Sequence, residues 1–550
     1  MRQRGQGELD LGETIRVTID QFFGIEIDGF AVSVAQTALW IAESQMMAET
    51  EEILHRRIDF LPLRRYAHIV RANALRMDWN SLLKEGERFD YILGNPPFVG
   101  HQHRTKEQMS DMDEVYAEWK DTSYGKLDYV CAWYRKAVET IRGTSARAAF
   151  VSTNSICQGE SVAAMWKPLF ERGGLTIDFA WRTFVWDSEA NEKAHVHVAI
   201  VGFHCEDGIP GGRADAHAIP RRPCLRDGVL DGIGGKRIFD GEICVEARHI
   251  NGYLYDAPDV FIQNRGGPQT AGFAKMSKGS QPTDGGFLML TGEERAELVL
   301  KWPKTETFVR RYLSADDYLN NRVRHCLWLK GVAPNAYRDV PPVMERLARI
   351  AELRRKSPTK SVQKDADTPM LFTQIRQPDT DYLVVPEVSS EKRRYIPIGF
   401  MPAEVIVSNM LYVIPNATLG MLGVLISSVH MAWMRVVAGR LEMRYRYTPA
   451  VYNNFPWPRS MNGASEDSDL IRRRIEKTAQ AILDARALYP DSSLADLYDP
   501  LTMPPELRRA HQANDAAVLA AYGFAKDATE EEIVAKLFEM YAELTSDNEK

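Results

Sequence analysis

The segment FDYILGNPPFVG, residues 89–100, closes an apolar run abruptly on Asn95, Pro96, Pro97 and Phe98. Two prolines continue neither strand nor helix. They fix φ and remove two amide donors, so the loop offers a rigid acceptor, the Pro96 carbonyl, beside the Asn95 side-chain oxygen. Two such acceptors make a clamp for an NH2 group. The amino nitrogen of adenine is a poor nucleophile because the ring delocalises its lone pair. Accepting both of its hydrogens helps to pyramidalise it and stabilises the positive charge that develops. Phe98 presents an aromatic face to the base, which has to leave a duplex to reach this pocket. Alone, Asn-Pro-Pro is ordinary turn chemistry, so its meaning depends on its surroundings.

Those surroundings alternate. QFFGIEI, residues 21–27, has the pattern of a strand, and Ala31, Val34, Ala35, Ala38, Leu39 and Ala42 follow at helical spacing. FDYILG, RAAFVSTNS and AHVHVAIVGF supply further strands with helical stretches between them. The pattern predicts an α/β fold with a largely parallel, doubly wound sheet, which places ligands at the carboxyl ends of its strands. Glu26 ends the first strand, where a carboxylate can bind ribose hydroxyls while Ile27 lies against an adenine ring. Asn73, before Ala74 and Leu75, either bonds the edge of that ring or caps a turn. Many strands end in an acid for solubility alone. The order of the three segments carries more weight than any one of them.

Composition narrows the class. At 550 residues and 45% hydrophobic content the chain supports several domains. Its start lacks the apolar core of a secretory signal, and Pro415, Asn416, Ser427, Ser428 and His430 interrupt its most apolar stretch, 410–434, so a cytoplasmic protein with a buried strand-turn-helix is expected. Six cysteines without Cys-x-x-Cys spacing predict free thiols and no zinc. His195 with His197, and His101 with His103, lack a third partner at metal-ligand spacing, so no metal is expected. The net charge of −7 argues against a polyanionic partner only until its distribution is considered, because residues 526–550 hold eight acids and three lysines. Basic clusters at Arg346–Lys360, at Lys392, Arg393 and Arg394, and at Arg435–Arg446 suggest a surface that tracks phosphates.

Taken together, GIEID, RANALRMDW and ILGNPPFVG resemble the successive motifs of gamma-type adenine-N6 DNA methyltransferases. AAFVSTNSICQGE, DFAWRTFVWDSEANEKAHVHVAIVGF, IRQPDTDYLVVPEVSSEKRRYIPIGF and VYNNFPWP are similar to the methyltransferase and target-recognition part of MmeI-like, type IIL restriction-modification enzymes, over residues 20–458. The resemblance implies a Rossmann-like class I methyltransferase sheet at 1–260, a mixed α/β target-recognition domain at 261–458 and a helical region at 459–550. It implies S-adenosyl-L-methionine as cofactor and double-stranded DNA as partner. Asn95, Pro96, Pro97 and Phe98 would form the catalytic loop. Glu26 and Ile27 would bind ribose and adenine, Asn73 with Ala74 would hold the adenine edge, and Phe184, in preference to Trp186, would be the second aromatic wall around the flipped base. Asn73 stands where an acidic residue is common in this group.

For DNA contact the strongest candidates are Arg440, Arg444 and Arg446, with Lys392 and Arg393; Arg444 and Arg446, two apart, face one way if extended. The sequence departs from the family in two respects. The Gly-rich loop expected before GIEID is missing, since Gly5, Gly7 and Gly12 follow no apolar strand, and no segment reads as a nuclease. QPDTDYLVVPEVSSEK lacks Glu-x-Lys spacing and reads as scaffold. The missing loop is compatible with a truncated sheet, a separate chain that supplies the loop, or a catalytically dead DNA-binding or specificity subunit. The same clamp chemistry on RNA adenine or protein glutamine is a rival that the large C-terminal region disfavours.

Overall fold

The computed structural model describes residues 17–55, 66–186, 196–206, 225–226, 229–230, 235–441 and 443–546. Gly5, Gly7, Gly12, His195 and Cys224 lie outside them. The chain divides into two units, 1–156 with 164–247 and 157–163 with 248–550.

In the first unit, strands β1 (Phe23–Glu26) and β2 (His68–Arg71) pair in parallel as a two-stranded sheet. The helix between them, α1 (Gly29–Leu54), starts where the Asp28 carboxylate accepts the amides of Phe30 and Ala31. No residue of α1 is buried. Phe30, Val34 and Ile41 fall on one stripe and stay 78%, 49% and 54% exposed.

The main sheet has six strands: β3 (Tyr91–Gly94), β4 (Arg147–Thr153), β5 (Leu175–Trp186), β6 (Val196–Cys205), β7 (Lys236–Asp240) and β8 (Ile243–Ala247), in the order β8-β7-β5-β6-β4-β3. β3 and β4 are parallel, as are β5 and β7, whereas β6 runs antiparallel between β4 and β5. Strands β3, β4 and β5 therefore end on the same side of the sheet. Sequence periodicity gives strands but not direction, so this reversal is decided by pairing. β3 is an edge strand whose Tyr91 and Leu93 are 68% and 77% exposed.

Helix α2 (Lys106–Val115) opens with a capping box of Thr105 and Gln108, and α3 (Cys131–Ile141) covers the sheet. Tyr134, Val138 and Ile141 on α3 are all buried, at helical spacing. Tyr134 stacks on Phe203 and meets Phe150 and Trp166 edge-on, an aromatic core behind the strand ends.

The second unit carries two four-stranded sheets. One orders 277–278, 411–415, 382–386 and 399–401; the other orders 289–290, 324–327, 309–313 and 406–407. Leu288, Phe308, Cys326 and Ile350 belong to the core beside the second of these sheets. The apolar stretch after 410 is a buried strand followed by helices Leu419–Leu425 and Ser428–Val437, bent by 56°. Among the described residues no single helix is long and apolar enough to cross a membrane. Helices Glu466–Ala487, Pro505–Tyr522 and Glu530–Ser546 end the chain, the last opened by the expected Thr529–Glu532 capping box.

Candidate active site

Asn95 to Phe98 leave the carboxyl end of β3, where Gly94 packs so closely that a Cβ would sit 3.1 Å from the Phe150 ring. Asn95 and Pro97 are exposed, Pro96 is buried and Phe98 is half-buried. The Asn95 side chain makes no hydrogen bond to the described residues, while the Pro97 carbonyl accepts the Val99 amide at 3.1 Å. The loop thus stabilises its own bend and leaves the amide of Asn95 unspent.

Residues 99–101, directly after the clamp, are held by a carboxylate that sequence periodicity does not single out. Asp128 Oδ1 accepts the His101 amide at 3.0 Å, and Oδ2 accepts Ser155 Oγ at 2.5 Å and Thr153 Oγ1 at 3.3 Å. The neighbouring Tyr129 amide donates to the Val99 carbonyl at 2.9 Å. Thr153 ends β4, so the segment is tied to the end of the adjacent strand. Phe184 lies at the same level of the sheet: it pairs with Val198 of β6, which on its other edge pairs with Thr153. The register slips between Trp181 and Phe184, and such a bulge re-aims the side chains beyond it. Phe184 and Trp186 are both half-buried, with ring centroids 6.3 Å apart.

Glu26 is half-buried at the end of β1 beside Ile27, which is 68% exposed, and its carbonyl accepts the Ala72 amide at 2.8 Å. A carboxylate next to an exposed apolar side chain suits the ribose and base of an adenosine. Of the two roles open to Asn73, the structure shows the turn. Its Oδ1 accepts the Leu75 amide at 3.0 Å, and its Nδ2 donates to Asp111 Oδ2 at 3.0 Å, so the side chain is spent on holding its own turn. Ala74 is half-buried, and its carbonyl accepts the Trp79 indole at 2.8 Å.

Asp111, only 2% exposed, also accepts Arg76 Nε and Tyr129 OH, both at 2.5 Å. Burial opposes its ionisation, but the hydrogen bonds from Tyr129, Asn73 and Arg76 outweigh it and hold the carboxyl below the ordinary aspartate range. Burial, followed by the hydrogen bond to Asp111 and then its charge, pushes the Tyr129 phenol up. Periodicity offers no signal for Asp111, Asp128 or Tyr129, because their partners are distant in sequence.

In the second unit, strands Gly439–Leu441 and Arg444–Arg446 form a hairpin joined by Val388–Ser389. Arg444 and Arg446 face outward on either side of buried Tyr445, and the Arg440 guanidinium lies 4.4 Å from the Tyr445 ring centre. Lys392 is exposed, whereas Arg393 is half-buried. Glu387, within the stretch read as scaffold, is buried between Lys278 and Arg446. Among the described residues no group of three or more His, Cys, Asp or Glu is placed to hold a metal.

An α/β sheet with an acceptor loop at a strand end, followed by a mixed unit with a basic hairpin and a helical end, defines a modular class. Family models describe the same modules: the MmeI DNA-methyltransferase domain matches residues 2–210, the MmeI target recognition domain 256–459 and the MmeI C-terminal domain 467–548. The solved structure of the type IIL restriction-modification enzyme MmeI in complex with DNA superposes with a TM-score of 0.75, at 41% identity, over 99% of this chain and 69% of that one. DNA methyltransferase A of Bacillus subtilis is 36% identical over 533 residues, which is 96% of this chain and 56% of the relative. The chain belongs to the MmeI family. It spans about half the length of that curated relative.

Proposed function

We propose that this chain is the greater part of a site-specific DNA methyltransferase that acts on N6 of an adenine flipped out of duplex DNA, within a restriction-modification or phage-defence system. The observation that carries the reading is the Asn95–Phe98 loop at the end of β3, with an exposed Asn95 side chain that bonds none of the described residues. Asn95 Oδ1 and the Pro96 carbonyl accept the two amino hydrogens, Phe98 and Phe184 enclose the base, and the charge growing on nitrogen meets two fixed dipoles. S-adenosyl-L-methionine, when bound, supplies the electrophilic methyl group. Glu26 and Ile27 fit its adenosine half, with Ala74 beside the adenine edge and Asn73 fixing the turn. Arg440, Arg444 and Arg446 contact DNA, with Lys392 and Arg393 as flanking charge.

The uncovered stripe of α1 and the exposed edge residues of β3 support a further point: additional polypeptide, such as a separate chain carrying a Gly-rich loop, completes the methionine side of the cofactor site. A second, alternative reading, which rests on the Gly-rich loop not found before GIEID, is a catalytically dead DNA-binding or specificity subunit.

Tritiated methyl transfer to unmethylated genomic DNA, with the product nucleoside identified by mass spectrometry, tests the proposal. N6-methyladenine formation lost in Asn95→Ala is the expected result, and transfer at a normal rate by that variant sinks the clamp assignment. DNA binding without transfer, even in the presence of a separate chain carrying a Gly-rich loop, favours the second reading.

A further inference from the structure

Residues 128 and 129 serve two loops at once. Asp128 and the Tyr129 amide hold residues 99–101, just after the candidate clamp, while the Tyr129 hydroxyl reaches Asp111, which holds Asn73 and Arg76 in the turn that follows Ala72, whose amide donates to the Glu26 carbonyl. The path is short: Asn73 Nδ2 to Asp111 at 3.0 Å, Tyr129 OH to Asp111 at 2.5 Å, then Tyr129 N to Val99 O at 2.9 Å. Each link is shielded, since Asp111 and Tyr129 are 2% and 5% exposed and the Tyr129 ring packs edge-on against Trp133 at 5.2 Å. Buried hydrogen bonds around a carboxylate have few alternative arrangements, because a released partner stays desolvated.

We propose that Asp128 and Tyr129 are positioning residues that couple the 73–76 turn to the clamp loop, so that order in one is transmitted to the other. The assignment of roles to the two loops rests on the function proposed above; the mechanical coupling between them does not. Neither residue touches the reacting atoms. Asp128 fixes where the clamp loop leaves the sheet, and Tyr129 makes that position depend on the turn.

Amide hydrogen exchange on the 550-residue chain tests the coupling. In the ligand-free protein, Asp111→Asn, whose side chain bonds no residue from 95 to 103, is expected to speed exchange at 99–103 by about tenfold, as is the milder Tyr129→Phe. Asp128→Ala is expected to loosen 99–103 directly and 73–76 to a smaller degree, with Asp128→Asn restoring much of the protection of both because its oxygen still accepts the His101 amide. Unchanged exchange at 99–103 in folded Tyr129→Phe overturns the coupling. S-adenosylhomocysteine provides the second arm. It is expected to slow both loops in the parent chain and only the 73–76 turn in Tyr129→Phe, whereas equal slowing of both loops in that variant also overturns the proposal. Failure of S-adenosylhomocysteine to protect 24–27 or 73–76 in the parent chain counts against the cofactor assignment, and the ligand-free comparison still decides the coupling.

Discussion

The Arg446 guanidinium reaches Glu387 Oε1 from two nitrogens, each at 3.2 Å, and Lys278 takes the other oxygen at 3.0 Å. The carboxylate is buried, so its two cations neutralise a charge that water cannot solvate. Arg446 therefore has a structural duty on the face proposed for DNA, where Arg444, on the other side of Tyr445 in sequence, is exposed as well. Arg446→Ala is expected to lower unfolding free energy by about 2–3 kcal/mol, because it leaves a buried charge half-paired. Arg444→Ala is expected to lower the melting temperature less than Arg446→Ala and to reduce the salt slope of DNA binding by about one. Thermal melts and salt titrations of the two variants separate these duties.

Phe184 and Trp186 stand close enough to substitute for each other as a wall. Phe184→Ala is expected to cut methyl transfer to genomic DNA about tenfold or more, the cost of losing about 1–3 kcal/mol of base stacking. Trp186→Ala is expected to cost much less, and the reverse order of effects would transfer the role to Trp186.

Arg354 is fully buried and donates to five carbonyls, those of Pro282, Thr283, Asp365, Thr368 and Leu371, joining two separate loops. Arg354→Ala leaves those acceptors unpaired, and a loss of about 3–5 kcal/mol is expected in a denaturant melt of the intact chain.

His430 is buried against the Tyr447 hydroxyl at 2.7 Å, and burial pushes its pKa down to about 3. An imidazole depressed in the folded state binds its proton more readily once unfolded. Its contribution to stability is therefore complete above the unfolded value near 6.5 and declines as pH falls from there toward about 3. Burial moves His511 the same way. Melting temperature should fall from pH 7 to pH 5, as the unfolding free energy declines with a slope approaching about 1.4 kcal/mol per pH unit for each imidazole. His430→Gln should flatten that slope, and an unaltered slope in that variant would remove His430 as its source.

Several elements were legible because their causes are local. The Thr529–Glu532 capping box, the strands ending at Glu26 and Gly94, and the break at Asn95–Pro96–Pro97 each follow from side chains within a few residues of the backbone they direct. Arg444 and Arg446 were expected to share a side if extended, and they do, because strand geometry alternates. Asn73 was legible as a residue of interest but not in its contacts. Asp111, 38 residues away in sequence, takes its Nδ2 hydrogen bond.

The sequence by itself determined the alternation of strand and helix, the rigid acceptor loop and the clustering of arginines, since φ restriction, side-chain periodicity and charge are properties of neighbouring residues. Tertiary structure alone decided that β6 enters the sheet in reverse, that Phe184 lies level with the end of β4, and that Asp128 and Tyr129 join two loops. Those outcomes depend on which distant backbone edges find one another and which polar groups are sealed from water together. No window along the chain contains that information.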